Sequence, residues 1–462
     1  MNSYMRLNRT FAYLSLLALA PFLVIPVSAQ SEDYNIKIGD LLMDFSVYAE
    51  YTYNDNVTTI PEDAIDRFDP TIVGPRTDYS LGLGANLGIE WQISDNNTLG
   101  VVLGFSMLDY QELDYLDSQK TFFSVDPESE IDFVVLLGSV ELRVYDRFGY
   151  SVDGSNSVLV DRVAVDPGGP VVDPDGRPII EGRSVSFAVD RYAAWENELG
   201  LEGLVILNPI EWTFGIRRYD VMPDDNDDGE FIDELGRSLE TDRWEFTRRS
   251  ELIIDTQVYY PLGRDNGFGV FGRYSSNDYK RDILTDSDGW QIGAVLDWSL
   301  GDRTALSATV GYDVRSFDEE NILRFQDGTI ADILEGKNWF YSLEILNLLG
   351  ETFNHKLSFT RQIAFGRATN EQVSTIIAYD FLYEGIRNVD LTGGIQWIDA
   401  EDSGPSPFAE DYDLFLATLG LDIELTESLN SIISYQYADK DSNNNDRDFK
   451  QTRASVRLNY DF

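Results

Sequence analysis

Phe449-Lys450-Gln451-Thr452-Arg453-Ala454-Ser455-Val456-Arg457-Leu458-Asn459-Tyr460-Asp461-Phe462 closes the chain. From Ala454 onward it alternates without a miss. Ala454, Val456, Leu458, Tyr460 and Phe462 point one way, and Ser455, Arg457, Asn459 and Asp461 the other. A period of two over this length predicts a β-strand with one apolar and one polar face. The same pattern is cleanest at 79–91, where Tyr79, Leu81, Leu83, Ala85, Leu87, Ile89 and Trp91 oppose Ser80, Gly82, Gly84, Asn86, Gly88 and Glu90. A sandwich core rarely leaves its second face so polar and glycine-rich, whereas the wall of a water-filled barrel does.

The opposite end of the chain carries Arg6 and Arg9, an apolar run from Phe11 to Ile25, and Val27-Ser28-Ala29. That order predicts a cleaved secretory signal over 1–29. Residues 30–44 then form an N-terminal periplasmic segment, and 45–462 a single barrel domain. Beyond residue 30 no apolar run approaches the roughly 18–20 residues a membrane helix needs. The chain has no cysteine, which excludes disulfides, thiol catalysis and Cys-ligated zinc. Tyr (25), Phe (26) and Trp (8) are abundant, which suits strands and the aromatic girdles of a membrane barrel. With 35 Lys and Arg against 81 Asp and Glu, the formal net charge is −46. Such a surface repels nucleic acid and favours cations.

Alternation predicts strands at 45–53, 79–92, 98–110, 130–146, 192–207, 210–220, 242–260, 267–279, 289–300, 303–316, 337–349, 353–365, 372–384, 389–399, 411–426, 431–439 and 449–462. A single-chain bacterial barrel has an even number. A further strand at 149–164, after a turn at Asp146–Phe148, restores parity. The fold class is therefore all-β, a transmembrane antiparallel up-and-down β-barrel of about 18 strands, with 16 the next choice. Short turns (Asn208-Pro209, Gly301-Asp302, Gly350-Glu351) alternate with long polar connections (221–241, 317–336, 400–410), as tight periplasmic turns alternate with extended outer loops. The Pro/Gly-rich segment 165–183 is read as one of those outer loops.

Residues 51–57, Tyr51-Thr52-Tyr53-Asn54-Asp55-Asn56-Val57, resemble the opening motif of a group of outer-membrane β-barrel porins, the β-barrel porin 2 type, some of them linked to polysaccharide export. The resemblance implies a Gram-negative outer-membrane location, contact with outer-membrane lipid, and a pore for small hydrophilic solutes. It also implies that Phe462, with Tyr460 and Leu458 on its face, is the signal read by the barrel-assembly machinery.

Candidate chemistry is sparse. His355 is the single histidine, and Ser358 lies at an odd spacing from it, on the opposite face of the same strand, so no hydrolase pair is expected. Asp224-x-Asn226-x-Asp228-Gly229 matches the first half of a calcium loop, but position twelve is Leu235. The expectation there is a solvated acidic loop that bridges calcium loosely. Asp286-x-Asp288 and Asp439-x-Asp441-x-Asn443 raise the same possibility. By parity the inner face carries Glu211, Arg217, Glu245, Arg249, Glu251, Asp255, Arg273, Asp297, Asp313, Arg315, Arg453 and Arg457. These are the pore-lining candidates, either as a charge filter or as opposite charges paired along the wall. Arg361 falls by alternation on the lipid face, where a bulge or a place at the rim would accommodate it. The expected function is passive diffusion with cations favoured. A barrel component of polysaccharide export and a structural or adhesive surface barrel are the alternatives, and the oligomeric state stays open.

Overall fold

The computed structural model describes residues 36–56, 77–111, 122–151, 194–223, 231–232, 238–239, 248–263, 266–279, 285–301, 303–318, 333–350, 352–364, 371–403, 409–443 and 448–462. Its strands, in chain order, begin with β1 (Ile36–Ile38), β2 (Leu41–Asn54), β3 (Asp78–Ser94), β4 (Asn97–Tyr110), β5 (Phe122–Leu137), β6 (Val140–Ser151), β7 (Ala194–Leu207) and β8 (Ile210–Pro223). After the two-residue ladder of β9 (Phe231–Ile232) and β10 (Ser238–Leu239) come β11 (Arg249–Pro261), β12 (Gly267–Tyr279), β13 (Ser287–Ser299), β14 (Thr304–Phe317) and β15 (Glu335–Leu349). The last six are β16 (Phe353–Ala364), β17 (Gln372–Ile386), β18 (Val389–Asp402), β19 (Asp411–Thr426), β20 (Leu429–Ser442) and β21 (Phe449–Asp461).

β2–β8 and β11–β21 make a closed antiparallel barrel of 18 strands, and β1 is the one extra strand. Each strand pairs with its neighbours in sequence, and the ring closes where β2 meets β21, from Ser46↔Asp461 to Asn54↔Arg453. The tight turns lie at one end. Several turn on a residue at positive φ, as Gly138 (68°), Gly301 (86°), Gly350 (79°) and Asn388 (59°) do, because two- and three-residue hairpin turns take a left-handed residue. The long connections lie at the other end.

Below the seam, β1 folds back on β2, pairing Ile36↔Met43 and Ile38↔Leu41. It thus continues the line of β21 past the chain's last residue, whose amide bonds Phe45 O at 3.1 Å.

The expected strand number agrees with this ring, but one strand was misplaced. The expected strands at 130–146 and 149–164 are instead β5 and β6, and the turn between them is Gly138-Ser139, not Asp146–Phe148. Both faces are apolar through Phe133-Val134-Val135-Leu136-Leu137, so alternation carries no break there. β2 starts at Leu41, inside the segment expected to precede the barrel. The signal at 1–29 and the loop 165–183 lie outside the described residues.

Parity sorts the side chains cleanly. On β13, Trp290 (65% exposed), Ile292 (69%), Leu296 and Trp298 face outward, while Gln291, Gly293, Val295 and Asp297 face inward. Trp290 and Trp298 bracket the outward apolar stretch. At about 3.4 Å per residue and a tilt of ~40° they stand roughly 20 Å apart, close to the apolar band of a membrane barrel. Val270, Val310, Trp339, Ile395 and Leu419 continue this exposed apolar belt around the ring.

Candidate functional site

The interior wall is built by the inward parity of the strands, and its chemistry differs from one side of the barrel to the other. On β6, Arg143, Tyr145 and Arg147 share the inner face, and both guanidinium groups lie over the Tyr145 ring, at 4.9 and 4.8 Å from its centroid. The ring itself is 1% exposed and folds over Gly200 of β7, a site where a Cβ would overlap it. Tyr145 Oη donates to Glu198 Oε1 at 2.9 Å. Arg143 bonds Glu130 and reaches Asp132 (3.5 Å) and Glu202 (3.4 Å), and Arg147 bonds Glu130 and reaches Glu198 (3.7 Å). Two cations and four carboxylates on three strands thus pair along the wall, with two negative charges in excess.

Arginine–carboxylate pairs continue through β14. Arg217 meets Asp255 at 3.4 Å, and Asp255 stands directly opposite Arg273. Arg249 lies 5.8 Å from the Tyr219 ring centroid. Gln291 separates Arg273 from Asp313, which is fully buried, and Arg315 lies over Gly289 with its Nε 3.2 Å from where a Cβ would stand.

Here the wall also carries an apolar step. Phe271, Gly293, Gly311 and Phe340 form one row across β12 to β15. The two rings lean inward over the glycines, and Ile363 and Val373 pack with them in a small apolar cluster.

The opposite side, from β17 to β2, is acidic near the inner turns. Asp390 and Asp422 stand directly opposite each other on one face. They join Glu384, Glu424, Glu427 and Asp461 around a cavity of about 420 Å³ whose lining holds a single base, Arg387. Like charges placed opposite on a ladder cost stability. Bases enter this side above the inner turns. Arg453 (3.8 Å) and Arg457 (3.5 Å) bracket Glu50, and Arg457 lies 3.7 Å from the Tyr48 ring centroid.

Of the residues singled out in the sequence, Arg217, Arg249, Glu251, Asp255, Arg273, Asp297, Asp313, Arg315 and Arg457 all stand at inward positions of their strands. Asp297 accepts from Ser307 Oγ at 2.8 Å. Glu245 and the calcium candidates Asp224, Asn226 and Asp228 lie outside the described residues. Asp286 and Asp288 accept from Tyr279 N (2.7 Å) and Tyr274 Oη (2.6 Å), and Asp439 pairs with Lys450 (3.2 Å). No group of three or more His, Cys, Asp or Glu able to hold a metal occurs among the described residues.

His355 packs between Phe353 and Tyr379 on the outward face, while Ser358 stands inward opposite Glu344. Arg361 pairs with Tyr341 and Thr375 in an unbroken register near the outer end of β16, so its place at the rim, without a bulge, accommodates it. Leu458, Tyr460 and Phe462 share the outward face, and the Phe462 ring meets Phe45 and Tyr460 at 4.9 Å each.

The arginine–tyrosine network on β6 and the acidic mouth were not anticipated. The misplaced turn hid the first. The second could have been read from acidic residues at inward parity beside short turns, as in Asp422-Ile423-Glu424.

No family model matches the chain, so the porin group resembled by residues 51–57 is not supported by that comparison. No curated protein matches it either. Among solved structures, the chain is similar to OccK5 (OpdH) of Pseudomonas aeruginosa, with 13% identity, a TM-score of 0.46, and 92% of this chain and 98% of that one covered. It is also similar to OccAB3 of Acinetobacter baumannii (11%, 0.48, 92% and 100%) and to a BenF-like porin from Pseudomonas fluorescens Pf-5 (11%, 0.47, 92% and 100%).

Proposed function

We propose that this chain is an outer-membrane channel through which small hydrophilic solutes diffuse passively, with cations favoured. The observation that carries the reading is the sorting of side chains around a closed ring of 18 strands. An apolar belt bracketed by aromatic residues faces outward, and charged residues, amides and glycines face inward. An exposed belt of this size requires an apolar solvent, and barrels of 16–18 strands leave an aqueous interior. Selection rests on width and wall charge. The apolar step of Phe271 and Phe340 narrows the path on one side, arginine–carboxylate pairs line β6 to β14, and the acidic inner mouth concentrates cations. The single histidine and Ser358 stand on opposite faces and form no hydrolase pair.

The test is single-channel recording with purified protein in a planar bilayer under a salt gradient. Open steps with a cation-selective reversal potential are expected. A second reading, a barrel closed by its outer segments and serving polysaccharide export or surface attachment, draws on the packed outer rim. There Lys440 and Glu410, 5% and 6% exposed, pair at 2.6 Å. Silence in the bilayer favours that reading and overturns the first.

A further inference from the structure

Every neighbouring pair of strands in this barrel is joined covalently at one end by a turn or loop, except β21 and β2. A ring closed by hydrogen bonds alone is weakest there, because fraying exposes two strand edges at once. The inner end of this seam is covered by β1 and by the contact of Phe462 with Phe45.

The outer end carries a different device, built from two residues that follow β2. Asp55 and Thr452 exchange bonds: Asp55 N donates to Thr452 O at 3.1 Å, and Thr452 N donates to Asp55 Oδ1 at 2.6 Å. Asn56, 1% exposed, donates through Nδ2 to Lys450 O at 2.8 Å, across 394 residues of sequence. Gln451 answers by donating through Nε2 to Asn56 O at 2.7 Å. Asn54 Oδ1 accepts from Asn56 N at 3.0 Å and holds the pair in its bend. The ladder itself ends at Asn54↔Arg453, so these bonds extend the closure past the last paired residue.

We propose that Asp55 and Asn56 are a closure lock, which holds the first strand to the last at the outer end of the seam. The Asn54-Asp55-Asn56 run thereby acquires a role in barrel integrity and none in selecting solutes. Each side chain supplies donors or acceptors that no loop supplies at this one junction, and the burial of Asn56 keeps water from competing for its bonds.

The full-length protein, folded in detergent micelles, tests this by thermal unfolding followed through heat-modifiable migration. Asn56→Ala and Gln451→Ala are each expected to lower the midpoint by about 2–4 °C, roughly one hydrogen bond's worth. The double variant should fall short of their sum, because the two residues act as one clasp. Asn347→Ala is the control. It removes two cross-strand bonds (Asn347 Nδ2 to Thr304 Oγ1, 2.6 Å, and Asn347 Oδ1 with His355 Nε2, 3.3 Å) to strands covalently joined to its own. The seam variants should lose more than this control, and hydrogen exchange at 449–455 should quicken in them alone. Variants that fold poorly are scored by the folded fraction recovered. A loss no larger than the control's, additive effects, or unchanged exchange at 449–455 overturns the proposal.

Discussion

Phe271 and Phe340 stand three strands apart, yet their ring centroids lie 6.1 Å from each other, because the two positions between them on the row are glycines. The rings occupy the space that side chains at Gly293 and Gly311 would fill. Removing one ring, as in Phe340→Ala, should widen the path and raise single-channel conductance. Gly311→Val should displace the Phe340 ring and cost about 1–3 kcal/mol, the usual range for overpacking, read from the midpoint of thermal unfolding.

Arg143 reaches three carboxylates, Glu130, Asp132 and Glu202. Arg143→Gln strands those charges on a partly buried wall. A loss of about 1–3 kcal/mol is expected, as for other hydrogen bonds to charged groups. Arg143→Lys should recover only part of it, because an ammonium cannot reproduce the planar fork. Urea unfolding of the micellar protein measures both.

Asp390 and Asp422 oppose each other at the inner mouth. Asp390→Asn should stabilise the barrel slightly, by roughly 0.2–1 kcal/mol. The same change should reduce the cation preference, seen as a smaller reversal potential under a salt gradient. Arg217→Gln, on the opposite wall, should shift the potential the other way. If both variants shift it in the same direction, wall charge does not set the selectivity.

Arg361 sits at the outer rim, whereas Phe359, one outward position lower, lies within the belt. Phe359→Arg should cost about 2–4 kcal/mol and Arg361→Leu about 0–1, following the depth dependence of charge on a lipid-facing wall. Equal effects would mean that the belt is placed at the wrong height.

Much of this architecture is legible in the chain because a membrane barrel writes its two solvents into alternate residues. Tyr79 to Trp91 and Ala454 to Phe462 announce their strands unaided. The pattern fails where both faces are apolar, as from Phe133 to Leu137, and there only Gly138 marks the turn. That local failure hid Arg143 and Arg147, since an inner face cannot be assigned when the turn before it is misplaced. Parity says which residues face inward but not which meet. The stacking of two arginines on Tyr145, and the opposition of Asp390 to Asp422, depend on register between strands, which is set by turn lengths and not by composition.

Ile36 stands on the strand line that Phe462 leaves, with one ladder position, opposite Asp44, between them. Joined across that position, residues 36–462 would be an endless ribbon, and new termini could be opened in any outer loop. A circularly permuted gene of that kind should yield the same wall, since no pairing in the ring depends on where translation starts. First and last are properties of the message, and the folded ring retains only the order in which neighbours follow one another.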